Sequence, residues 1–68
     1  MPYKFLDIKK KLLKLGFKIV RQKGSHVVFK KDNIIFPVPN HWWKDISLWV
    51  EKAILKILWI SKKDFDNI

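Results

Sequence analysis

Residues 17–38 read FKIVRQKGSHVVFKKDNIIFPV, and the organisation of the whole chain follows from this stretch. Phe17 to Gln22 alternates apolar and polar side chains with the period of two that a strand requires. Lys23-Gly24-Ser25 supplies turn residues, and His26 to Lys30 is a second run rich in β-branched and aromatic side chains. Lys31-Asp32-Asn33 makes another tight turn before a third run, Ile34 to Val38. Three consecutive strands joined by short turns form an antiparallel meander. Pro37 cannot donate to a ladder, so the third strand belongs at an edge, and a meander puts it there. In this alignment Gln22 stands opposite His26, and His26 faces about Val38.

Helical periodicity appears on both sides. Phe5, Ile8, Leu12 and Leu15 fall on one face, with Asp7, Lys10, Lys11 and Lys14 around the other, and Gly16 follows as a stop signal. A first helix is expected over residues 4–15. After the strands, residues 39–45 form a loop containing Trp42 and Trp43, of which tandem spacing lets only one point inward. A second helix runs from an N-cap at Ser47 to Leu58, with Val50, Ala53, Ile54, Ile57 and Leu58 as its apolar stripe. Trp59 is expected to pack near its end. Ser61-Lys62-Lys63-Asp64 has the form of a capping box and predicts a short last helical turn. The order is α-β-β-β-α. It predicts an α+β domain over residues 1–68, a three-stranded antiparallel sheet with both helices on one face and the other face open. That is the layout of the double-stranded-RNA-binding domain.

Composition narrows the functional classes. A chain of 68 residues has no room for a second domain or a deep two-lobed cleft. It holds no Cys, so neither disulfides nor thiolate zinc can staple it, and a 49% hydrophobic composition must supply the core. The longest uninterrupted apolar run, Ile57 to Ile60, is far too short for a membrane span, and the Lys-rich start lacks the apolar segment of a secretory signal. A cytoplasmic location is the expectation. The formal charge is +9, and it is concentrated. Residues 1–31 carry nine Lys and Arg21 against Asp7 alone, whereas bases and acids balance over residues 32–68. A field of this kind attracts polyanions, so RNA or an acidic protein is the natural partner.

Few groups could carry chemistry. The sequence lacks G-x-S-x-G and H-E-x-x-H motifs, and His41 with Asp45 is too small a set for zinc, so neither metal nor cofactor is expected. His26 remains. It is placed on the central strand at the sheet end reached by Arg21, Gln22, Lys23, Ser25 and the Asn40-His41 loop. Imidazole exchanges protons near neutral pH, and RNA brings its own nucleophile in the 2′-hydroxyl. One proton-transfer group with positive charge for the transition state would therefore be enough for a ribonuclease. The bland alternative is a strand histidine that packs on the sheet or contacts phosphate.

The same residues carry a family likeness. Leu15-Gly16-Phe17, Val20 to His26, Phe29 and Pro37-Val38-Pro39-Asn40-His41 resemble the HicA toxins. Lys44-Asp45-Ile46, Ile54-Leu55-Lys56 and Ile60 to Phe65 fit that family's C-terminal part. The resemblance implies a double-stranded-RNA-binding-like fold and an mRNA interferase. It assigns catalysis to the histidine of G-S-H, here His26, and implies an acidic HicB antitoxin that covers the site. Trp42-Trp43 and Leu48-Trp49-Val50 depart from the family pattern. On this reading the chain is a metal-independent endoribonuclease, with Arg21, Lys23 and Lys30 holding phosphate and Gly24 and Ser25 orienting it through the turn. His41 is a secondary proton-transfer candidate, and a monomer is favoured for the free toxin. The rivals are a non-catalytic RNA-binding module and a toxin relic that only pairs with its antitoxin. Against a true duplex binder, Lys44-Asp45-Ile46-Ser47 lacks the lysine cluster such domains carry before the last helix.

Overall fold

The computed structural model describes residues 3–40 and 45–68. Among them are helix α1 (Phe5–Lys14), strands β1 (Lys18–Lys23), β2 (His26–Lys31) and β3 (Ile34–Pro39), helix α2 (Leu48–Leu58) and the short α3 (Lys62–Asp66). The strands form one antiparallel sheet in the order β1-β2-β3, which leaves β3, with Pro37, at an edge. The fold is α+β with the double-stranded-RNA-binding-like layout. Among the described residues no helix is long and apolar enough to cross a membrane. Trp42 and Trp43 lie outside the described residues, as does His41.

One sheet face is covered. Val27 and Phe29 from β2 and Phe36 and Val38 from β3 are buried together with Phe5, Ile8 and Leu12 of α1 and Ile54 of α2. The Phe29 ring lies 6.3 Å from that of Phe5 and 6.4 Å from that of Phe36, at the centre of this core. Every second residue of β2 therefore points into the core, and the alternate ones, His26, Val28 and Lys30, point out.

The helices end as their sequences direct. Asp7 accepts from the Lys4 backbone N–H at 3.1 Å, and Ser47 and Ser61 each accept from the N–H three residues on. Gly16 sits at φ +100°, the left-handed geometry that stops α1. Two lysines of the basic half serve the fold. Lys31 donates to the Leu15 carbonyl at 2.6 Å, at the end of α1. Lys11 donates to the carbonyls of Phe65, Asp66 and Ile68, tying the C-terminal turn to α1.

Four expectations need correction. Lys23, not Gln22, pairs with His26, and Pro39, not Val38, stands on its other side. Both turns hold two residues rather than three, Gly24-Ser25 and Asp32-Asn33, and each starts in the left-handed region, with φ +59° at Gly24 and +53° at Asp32. Such two-residue turns match the twist of a hairpin. The inward stripe of α2 is also rotated. Glu51 and Ile54 are buried while Ala53 and Ile57 are exposed. Lys62 of α3 reaches the Glu51 carboxylate at 2.7 Å and compensates its burial, which a reading by hydropathy alone would not allow. Finally, Trp59 does not pack: it is 93% exposed. It occupies the left-handed position after α2 at φ +59°, where the Ile60 N–H closes back on the Leu55 carbonyl. The chain reversal turns Trp59 outward and sends Ile60 to the core instead.

Candidate nucleic-acid interface

The open sheet face is built in three rows across the strands. In strand order they are Lys23–His26–Pro39, Arg21–Val28–Pro37 and Lys18–Lys30–Ile35. The β1 edge is cationic in every row, and the β3 edge is apolar in every row. Neighbouring side chains within a row stand about 5 Å apart, so His26 lies between a lysine and a proline.

A bulge makes the cationic edge possible. Ile19 pairs with Phe29 and Arg21 with Val28, so Val20 is an extra residue in the ladder. Strict alternation from Lys23 would place Arg21 on the open face but turn Lys18 to the covered one. The inserted Val20 resets the phase, so that Lys18, Arg21 and Lys23 all share the open face.

His26 is exposed, at the first position of β2. Beside it the Gly24-Ser25 turn is held against the end of β3 by the Asn40 N–H, which donates to the Ser25 carbonyl at 2.6 Å. Gly24 requires its left-handed backbone, and nothing lies within 4 Å of where a Cβ would project, so the turn backbone is open to a ligand. A shallow cleft of about 710 Å³ runs from Arg21, Lys23 and the turn, past His26 and Val28, to Ile35 and Pro37.

The structure thus brings together Arg21, Lys23, Gly24, Ser25 and His26. It separates Lys30, which shares the open face but lies four residues along β2, about 13 Å from His26. Lys30 lines a second hollow with Lys18, Lys31 and Asp32 at the far end of the sheet. His41 follows Asn40 in the chain and lies outside the described residues. The sequence reading missed Val28, Ile35 and Pro37 as cleft walls. Their period-two spacing relative to His26 and Pro39 was the available signal. Among the described residues no three of His, Asp, Glu and Cys are grouped so as to hold a metal ion.

Chemically, the arrangement joins an exposed imidazole to guanidinium and ammonium groups on a face whose strands carry no carboxylate. Such a surface can hold a phosphodiester and move a proton beside it. The family model described as HicA toxin of bacterial toxin-antitoxin matches residues 6–59, from α1 to the residue that ends α2. No curated protein and no solved structure was found to match the chain.

Proposed function

The chain belongs to the HicA toxin family and is the toxin of a toxin–antitoxin system, and from that premise we propose that it is an endoribonuclease that cleaves mRNA in the cytoplasm. His26 is its general acid or base. The 2′-oxygen of the substrate attacks the adjacent phosphorus, and the bond from phosphorus to the 5′-oxygen breaks. The 2′-hydroxyl proton leaves to a base, and the departing 5′-oxygen takes one up, with His26 serving one of these transfers. The products are a 2′,3′-cyclic phosphate and a free 5′-hydroxyl. Arg21 and Lys23 neutralise the charge that builds on the phosphoryl oxygens, and Ser25 and the turn N–H groups orient them.

The observation that carries this reading is the Lys23–His26 pair with Arg21 in the next row, all on the uncovered face. The test is cleavage of single-stranded RNA by the purified chain in the presence of EDTA, with the ends of the products identified. Binding without cleavage would favour the RNA-binding module instead. Inhibition by the antitoxin follows from the same surface. An acidic HicB-like partner laid over His26 and its cations excludes substrate with no change of shape in the toxin.

Lys30 and Lys23 should also register in the salt dependence. Each single-strand phosphate contact contributes a slope of about −0.7 in log K against log salt. Lys23→Glu should flatten the slope by about that amount, and Lys30→Glu likewise if the strand runs the length of the face. Titration by fluorescence anisotropy from low to moderate salt measures it. An unchanged slope in Lys23→Glu would place the RNA elsewhere.

A further inference from the structure

Resting on the ribonuclease reading, we propose that the apolar side of the His26 cleft, formed by Val28, Ile35 and Pro37, is a seat for one unpaired nucleobase of the substrate. The cleft is two-sided. Its β1 side ends in Arg21 and Lys23, and its β3 side in Ile35 and Pro37, with Val28 on the central strand directly between Arg21 and Pro37. Strands lie about 4.8 Å apart, so the two sides are about 10 Å from each other, the reach of a nucleotide from phosphate to base.

The apolar side is not accounted for by the core. Ile35 is 58% exposed and Pro37 is exposed, on the face away from the helices. Edge strands are ordinarily protected by charge, yet Ile34–Pro39 contains no charged residue, and its two prolines, Pro37 and Pro39, are what blunt this edge. All the charge of this face sits on the other two strands. A ligand that matches must be anionic at one end and flat and apolar at the other, which describes a nucleotide unit better than a peptide. Unpaired bases lay their faces on aromatic or apolar side chains, whereas paired bases in an RNA duplex are out of reach of such a platform. The seat therefore restricts cleavage to single-stranded positions and sets the orientation of the strand, phosphates along β1 and bases toward β3.

The test uses an uncleavable 2′-O-methyl octanucleotide of mixed sequence and an abasic oligonucleotide of the same length. Wild type should bind the base-bearing strand roughly ten-fold more tightly than the abasic one, the scale of burying one apolar side chain. Ile35→Ser should bring that ratio toward one, and Ile35→Phe, which widens the platform, should raise it. Because Ile35 projects from the open face, both variants should keep the wild-type far-UV spectrum and melting temperature. A wild-type ratio near one, or an equal ratio in Ile35→Ser, overturns the base seat while leaving the ribonuclease reading intact. Absence of binding to either strand would overturn both.

Discussion

His26→Ala should cleave RNA about 10²- to 10⁴-fold more slowly than the wild type while melting at nearly the same temperature. The two halves of this expectation come from one fact, the outward direction of the side chain. His26 is exposed at the start of β2, so its truncation removes no core packing. General acid–base catalysis by a positioned group is worth that range in rate, and no other imidazole is among the described residues. RNA affinity should be nearly unchanged if, as proposed, Arg21 and Lys23 hold the phosphate without it. Initial rates on a fluorescent RNA, with a melting curve of the same preparation, separate the outcomes. Wild-type cleavage by His26→Ala would remove the catalytic assignment, and a collapsed melting curve would make the residue structural.

What could be read in advance divides along physical lines. The α1 stripe, the stop at Gly16 and the three strands rest on local periodicity and turn chemistry, and these survive in any environment. The placing of His26 beside Lys23 and Arg21 followed from them, although the register was one residue out. That error came from turn length, which Lys23-Gly24-Ser25-His26 leaves open, since a glycine serves a two- or a three-residue loop. The bulge at Val20 was beyond reach for a different reason: an inserted residue in a strand changes no residue type, only the phase. Glu51 reflects tertiary context and Trp59 the backbone geometry of a helix end. A glutamate in an apolar helix reads as solvent-facing until Lys62 arrives from another element to neutralise it. A tryptophan reads as core until the helix is seen to end on it in the left-handed conformation. The first is an interaction between elements and the second a backbone reversal at a helix end, and periodicity is blind to both.

Phe29→Ala should unfold most of the protein, and so should abolish activity by a route opposite to that of His26→Ala. Phe29 is fully buried on the central strand, paired with Ile19 on one side and Phe36 on the other. Removing such a ring costs about 3–5 kcal/mol, whereas a domain of this size has roughly 3–10 kcal/mol in total. With a urea dependence near 1 kcal/mol per molar, the midpoint should fall by about 3 M or the variant should be unfolded without denaturant. Far-UV circular dichroism reads this directly, and a midpoint within about half a molar of wild type would show that the core is not centred on this ring. The contrast with His26 can be made stringent. Both residues lie on β2 three positions apart, on opposite faces. A protecting osmolyte strengthens burial without supplying a proton donor, so trimethylamine oxide should restore cleavage to Phe29→Ala as the fold returns. The same addition should leave His26→Ala inactive, because its fold was never lost.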